Sequence, residues 1–483
     1  MRASTAALGV MCVGVLVTAL DQTVVVTAVP AIARDLNVPF GEIDRMAWVI
    51  TSFLIGYTVA LPIAGRLADT CAKRTIYLGA LALFALSSIP AALASDLWTL
   101  VVARAVQAAG SGALVPVTLG YASGWFKGGG RMVALGLVVA AAEVGAVLGP
   151  FWGAVITQAL SWRWIFLLNV PLAGLVAALV WRVPDEVPDR SFPLDWRSAL
   201  LVALGMASLV TGLARDRTMP TALTVALVCV GLAALASFVM VQRYAANPLV
   251  DVRLFAGRVF ASCNLTSLII GAGLIVPMVN VPLFAGTVLE RDALGGGLLL
   301  LRMMLLIPVG AVLGALLAAR LGERTVVSVG AVLSGVGLWL AAGWTSDPAE
   351  VTLTRDLVVA GFGFGLVIAP LTASVIRVAG SSKAGAAAGL ITVARLLGMM
   401  LALATLTPWA LGRFNRAVAG ISLPLGRGGE SDAEMARLAT VYGEGIANAT
   451  TRMFSDLFLV GSLLCFVAVV PAFLIGSKPR ASG

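Results

Sequence analysis

Residues 7–32, ALGVMCVGVLVTALDQTVVVTAVPAI, form an apolar run with a single ionisable side chain, Asp21, in its middle. A carboxylate at bilayer depth is costly unless it is paired, wetted or protonated, so such groups mark functional sites by default. The run reads as a first transmembrane helix. Only Arg2 precedes it, and no small-residue cleavage site separates it from further apolar runs, which argues against a secretory signal.

Composition points the same way. Of the 483 residues, 60% are hydrophobic and only 12% are charged, and the mean hydropathy is +0.99. These values lie far outside globular usage, and no water-soluble surface can be made from them. Five cysteines lie in or beside apolar runs without CxxC spacing and read as packing residues. The chain has no histidine, which removes the commonest metal ligand and the usual near-neutral proton shuttle. The net charge of +9 comes from lysines and arginines in short loops, a positive-inside pattern that gives no reason to expect nucleic acid. No nucleophile or nucleotide-binding loop is recognisable, so an enzyme is not expected.

Apolar runs at about 8–30, 47–67, 75–95, 98–122, 132–157, 162–183, 196–215, 220–242, 259–285, 295–320, 325–346, 354–379, 384–412 and 453–477 predict fourteen membrane helices. Lys73, Arg74, Arg131, Arg243, Arg320 and Lys383 then share one side, which places both termini in the cytoplasm. Two weak repeats come in the same order half a chain apart. LADTCAKRT at 67–75 resembles LAARLGERT at 317–325, and GSGALVP at 110–116 resembles GFGFGLVIAP at 361–370. They predict an all-α membrane protein of two related six-helix bundles, residues 1–190 and 246–483, with two inserted linker helices at 191–245. A long loop at 413–452, with a short helical-looking run at 431–442, is expected to project outside the membrane.

Four segments carry the candidate chemistry. Residues 65–74, GRLADTCAKR, join two helices through small residues and charges. Gly65, Arg66, Asp69, Lys73 and Arg74 read as a cytoplasmic latch between helix ends. Its second-half copy has Ala319 in place of the acid, so the latch is expected on one side only. Arg104 lies deeper than snorkelling requires, at a depth matching Asp21, and the two are candidates for an ion pair. In residues 143–153, EVGAVLGPFWG, glycines at four-residue spacing (Gly145, Gly149, Gly153) form a flat packing face, and Pro150 frees a backbone carbonyl. Glu143 is a second carboxylate at membrane depth. Arg395 is its expected partner across the two halves, with Arg302 the rival. Residues 162–171, WRWIFLLNVP, read as an interfacial anchor, and Asn264 and Asn280 read either as cavity lining or as interhelical glue.

Residues 20–30, LDQTVVVTAVP, resemble the first-helix motif of the fourteen-helix drug:proton antiporter branch of the major facilitator superfamily. The latch, the Arg104 segment and the Gly145–Gly153 segment look like that superfamily's motifs A, B and C. Within the branch, Glu143, the segment around Arg395, Trp409 and the extended final outer loop are most similar to the mycobacterial triacylglyceride exporters. The resemblance implies a multi-pass protein of a bacterial cytoplasmic (inner) membrane that exports lipophilic substrates by alternating access. Asp21 and Glu143 would be the proton-coupling groups, with Arg104 and Arg395 as charge partners. It implies no cofactor beyond a proton gradient, a lipid or lipophilic small molecule as cargo, and a periplasmic lipoprotein as a partner. A multidrug:proton antiporter for amphipathic or cationic drugs is the alternative.

Overall fold

The computed structural model describes residues 2–39, 45–126, 128–183, 196–213, 219–245, 248, 252–379, 384–421 and 432–475, without the side chains of Arg66 and residues 68–70 among others. The helices are α1 (Arg2–Asp35), α2 (Ala47–Thr70), α3 (Lys73–Ala92), α4 (Leu97–Trp125), α5 (Gly128–Ala159), α6 (Arg163–Leu167), α7 (Asn169–Val180), α8 (Trp196–Leu213), α9 (Thr221–Tyr244), α10 (Arg258–Thr287), α11 (Ala293–Leu321), α12 (Glu323–Ala341), α13 (Glu350–Ala379), α14 (Ala384–Ala419), α15 (Asp432–Val467) and α16 (Val469–Ala472). Among the described residues 13 helical stretches are long and apolar enough to span a bilayer, with α6 and α7 together making one, and α8 is a shorter apolar helix. Helix alone is the physical solution here, because in hydrocarbon each backbone N–H and C=O must be satisfied within its own segment. The result is two six-helix bundles, α1–α7 and α10–α16, with α8 and α9 as the inserted pair.

The first half packs α1 on α5 and α2 on α4, and the second repeats this with α10 on α14 and α11 on α13. The inserted α8 and α9 form a hairpin joined by Gln242 Nε2 donating to Ser198 Oγ at 2.6 Å. Both residues are buried, and α8 lies against α2 and α14, where the two halves meet.

We call the end where α1 begins the near face and the end where it finishes the far face. On the far side one continuous core runs through both halves, from Val24, Ile32 and Phe53 to Phe284, Leu300 and Phe458. The near part of the first half, with Met11, Tyr77, Leu114 and Val176, packs on itself as a separate cluster. The second half shares its core with the far part of the first half, while the near part of the first half packs on itself. Gly297 of α11 marks the join, since a Cβ there would overlap Ala154 of α5.

Three boundaries differ from the hydropathy reading. The sixth span breaks at Leu168, because Pro171 has no N–H to offer the Leu167 carbonyl. α1 starts at Arg2 and runs to Asp35. In the segment expected as a loop at 413–452, α14 continues to Ala419, and the helical run expected at 431–442 is the start of α15, which begins at Asp432 and runs on without a break into the last span. With 36 residues each, these two helices are about 54 Å long, well beyond a ~30 Å hydrocarbon core. Apolarity marks the thickness of the lipid, whereas backbone hydrogen bonding and helix-forming Ala, Arg, Glu and Met carry the helix past it.

Candidate functional site

Asp21 sits inside the first half with no solvent exposure. Its Oδ2 accepts from Arg104 Nη1, and its backbone carbonyl accepts from Arg104 Nη2 at 3.1 Å. Its Oδ1 accepts from Asn169 Nδ2 at 2.6 Å and from Gln107 Nε2 at 3.4 Å. Arg104 Nη1 also donates to Gln107 Oε1 at 2.7 Å, and Gln107 Nε2 donates to Ser88 Oγ at 2.7 Å. One turn of α4 thus presents Arg104 and Gln107 on the same face, and the network joins α1, α3, α4 and α7. Phe53 lies 4.1 Å and Phe166 5.6 Å from the guanidinium, ring face to cation.

The matched-depth reading of Asp21 and Arg104 is therefore what the helices bring together. Asn169 and Ser88 complete the network and are absent from that reading. Asn169 is an amide within an apolar run, which is the signal that finds it; the break at Leu168 starts α7 at that residue. A buried pair of this kind is weak as net stabilisation, but removing one partner strands a charge at a cost of about 3–5 kcal/mol. The group is enclosed by polar side chains rather than hydrocarbon, and in this state it does not reach a solvent-filled space.

Glu143 and Arg395 meet across the halves. Arg395 Nη2 donates to Glu143 Oε1 at 2.7 Å, joining α5 to α14 over 252 residues of chain. The Glu143 side chain is 36% exposed and that of Arg395 15%, so this pair is partly exposed where the Asp21 pair is fully buried. The rival Arg302 turns elsewhere, donating to Glu350 Oε2 at 2.8 Å and Thr354 Oγ1 at 2.6 Å.

The glycines of α5 face α1 within the same half. A Cβ at Gly145, Gly149 or Gly153 would overlap Leu16, Leu20 or Val24 backbone oxygen respectively. Pro150 has no N–H for the Ala146 carbonyl, and Thr23 Oγ1 donates to that freed oxygen at 2.8 Å. Thr27 Oγ1 donates to the Pro150 carbonyl at 2.9 Å. The second half repeats the clasp with Ser267 Oγ donating to the Ile391 carbonyl at 2.9 Å.

Of the latch residues, Gly65 has room for a side chain, since an added Cβ would meet only Pro116 at 3.8 Å, and the Arg66 and Asp69 side chains lie outside the described residues. Lys73 Nζ donates to the Gly120 carbonyl at 3.3 Å, and Arg74 Nη1 donates to the Val183 carbonyl at 3.2 Å. The second-half copy is charged after all. Glu323, aligned with Lys73, accepts from both Nη atoms of Arg377 and from Ser374 Oγ. The Ala319 reading missed this because the acid moved four residues along, to the first turn of α12. A further buried carboxylate, Asp356, accepts from Trp344 Nε1 at 3.0 Å and Arg355 Nε at 2.8 Å. It ties the α12–α13 turn and lies away from the pair that joins the halves.

Between the halves, α1, α2, α10, α14 and α15 enclose an apolar crevice of about 70 Å³ whose lining includes Ile50, Asn280, Leu403, Thr407 and Met453. Asn280 is the one of the two candidate asparagines that reaches it, while Asn264 is buried with its Nδ2 on the Phe260 carbonyl. A wider recess of about 650 Å³ lies away from both ion pairs, on the outer surface of α3 and α4.

Residues 11–403 match the family profile described as Major Facilitator Superfamily. The chain belongs to that superfamily. Among its relatives, a triacylglyceride transporter of Mycolicibacterium hassiacum is 36% identical over 498 residues, spanning 97% of this chain and 91% of its own length. A probable triacylglyceride transporter of Mycobacterium leprae is 33% identical over 486 residues, spanning 96% of this chain and 94% of its own. Similar solved structures include a bacterial homologue of the human lysosomal transporter Spinster in an inward-facing, unoccupied conformation, with a TM-score of 0.65 at 15% identity over 99% of both chains. A D-xylose-proton symporter gives 0.63 at 16% identity over 95% of this chain and 96% of that one. As a major facilitator the protein is a multi-pass membrane transporter and not an enzyme.

Proposed function

We propose that this transporter exports lipophilic molecules of the triacylglyceride class by alternating access, driven by protons entering as substrate leaves. The observation that carries the reading is the placement of two carboxylate–arginine pairs, one fully buried inside a half and one partly exposed between halves. The substrate class is supported by the relatives' names and by the apolar lining of the crevice. The reading sets the near face and both termini in the cytoplasm of a bacterial cell, so that this state opens inward.

Protonation of Asp21 removes the charge that Arg104, Gln107 and Asn169 hold, and the buried guanidinium must then find other acceptors. That loosens α1 from α4 and α7, and because Thr23 and Thr27 clasp α1 to α5, the movement is passed to Glu143. Separation of Glu143 from Arg395 then frees the two halves to rock. The inserted α8 covers the α2–α14 seam, leaving the near part of the α5–α11 side, away from the Gly297–Ala154 contact, as the lateral route for acyl chains. No bound cofactor takes part. A lipoprotein acceptor at the far face is the partner this reading carries.

Reconstitution in vesicles with an imposed pH gradient tests it, comparing labelled triacylglycerol with a cationic dye. Gradient-dependent movement of the lipid is expected, with more reaching vesicles when a lipoprotein acceptor is supplied. Asp21→Asn is expected to insert and fold normally yet abolish the gradient-driven part. Movement of the dye alone moves the assignment to drug efflux, and full gradient-driven transport by the Asp21→Asn protein sinks the coupling role.

A further inference from the structure

Asp356 is a buried carboxylate that neither coupling pair uses. It lies six residues past Glu350, about 9 Å into α13 from the far end, and has no solvent exposure. Aligning Gly361 and Gly363 with Gly110 and Gly112 sets Arg355 where the first half has Arg104. The pairing differs between the two copies. Arg104 is buried and takes its acid from α1, whereas the Arg355 side chain is 56% exposed and its acid is the next residue of the same helix. The second-half carboxylate therefore does not tie α10 to α13. Its other oxygen, Oδ2, accepts from Trp344 Nε1 at 3.0 Å.

Trp344 begins a chain of rings that ends at the crevice between the halves. Its ring lies 5.3 Å from Phe284 of α10 and 5.3 Å from Phe458 of α15, and Phe284 lies 5.5 Å from Phe454, edge to face. All four rings are buried. Phe454 lines the crevice, opposite Met46 and Ile50 of the first half. Ser455 Oγ donates to the Ala342 carbonyl at 2.5 Å, which holds α15 to the turn that carries Trp344. A ring in such a stack moves only if its neighbours give way, because interiors are close-packed. The Trp344 N–H is the only polar group in these four side chains, and a buried indole N–H needs an acceptor. Asp356 supplies it.

We propose that Asp356 is a positioning residue for the far part of the substrate path: by holding the Trp344 N–H it stiffens the Trp344–Phe284–Phe454 wall and so sets the aperture of the crevice, about 70 Å³ in this state. A wall that cannot yield by itself leaves the crevice to widen only when the halves rock, which keeps lipid movement tied to the transport cycle. That consequence rests on the export reading above, whereas the control of the aperture does not.

Maleimide labelling of the full chain in vesicles, read thiol by thiol by peptide mass mapping, tests it. Met453→Cys places a reporter on the crevice lining, and the native Cys263, buried towards the near end of α10, reports general loosening. Asp356→Leu keeps the bulk but strands the indole N–H, and is expected to speed labelling of the reporter by about tenfold with Cys263 unchanged. Asp356→Asn keeps an oxygen for the indole and is expected to stay within about twofold of the unaltered rate. An acid with only a structural role would move Cys263 together with the reporter. Trp344→Phe, which keeps a ring in the stack but has no N–H, serves if Asp356→Leu folds poorly, and is expected to shift the reporter the same way. Unchanged labelling in Asp356→Leu and Trp344→Phe, equal rises in Asp356→Asn and Asp356→Leu, or a matching rise at Cys263 overturns the proposal. In the same vesicles Asp356→Leu is expected to raise movement of labelled triacylglycerol without a pH gradient, and a widened crevice with no such rise overturns the role in the path. Failure of the unaltered protein to move triacylglycerol at all counts against the export reading, and the labelling still decides whether Asp356 sets the aperture.

Discussion

Reversing the charges of Glu143 and Arg395 probes the contact that bridges the halves. At 2.7 Å the bare attraction at an effective dielectric of ~20 is about 6 kcal/mol, an upper limit. Glu143 is 36% exposed, so water screens much of this. Exposed pairs contribute about 0–1 kcal/mol, and breaking a buried one costs about 3–5 kcal/mol. A half-buried pair falls between, at about 1–2 kcal/mol, which is roughly a 5- to 30-fold change in a conformational equilibrium. Glu143→Arg or Arg395→Glu alone is thus expected to shift the protein out of the far-closed state by that factor, and the double reversal to restore it. Spin labels on the near ends of α5 and α14 would read the two populations as two distances. A double-mutant cycle on the populations should return a coupling of about 1–2 kcal/mol. Strictly additive single effects, or unchanged distances in both single variants, would refute the argument.

Two further outcomes follow from the packing. Gly149→Ala is expected to push α1 off α5, because the added Cβ meets Leu20 and Thr23, lowering stability by about 1–3 kcal/mol. Gly174→Ala, where nothing lies within 4 Å of a Cβ, is the matched control and should leave the melting temperature unchanged; equal effects would show that the α1–α5 contact is looser than described. Glu323→Gln strips the charge that holds Arg377 and is expected to speed hydrogen exchange at the start of α12, with little change at α3, where Lys73 makes the corresponding contact with a carbonyl.

Much of this was legible before any fold was known. Hydropathy located the spans because a bilayer demands continuous apolar runs, and the failures have local causes. A proline at 171 broke one span, and two helices outlasted the membrane because helix formation does not end where apolarity does. The Asp21–Arg104 and Glu143–Arg395 pairings were readable from depth, since each residue adds ~1.5 Å along a helix axis. Depth carries no azimuth. It could not say that Arg302 turns to Glu350 and Thr354 of α13 while Arg395 crosses to Glu143, nor that Asn169 and Ser88 close the Asp21 network.

The order of residues along the chain determined that this is a helical membrane protein of two related halves, with a carboxylate where hydrocarbon would refuse one. Those properties depend on composition and one-dimensional spacing, which the lipid reads directly. Only the tertiary structure decided the partners: which carbonyl freed by Pro150 receives Thr23, which arginine crosses between halves, and which end of the first half shares its core with the second. Such choices depend on the rotation of each helix about its axis and on contacts between residues up to 252 positions apart, and the packing of small residues against neighbouring backbones sets both.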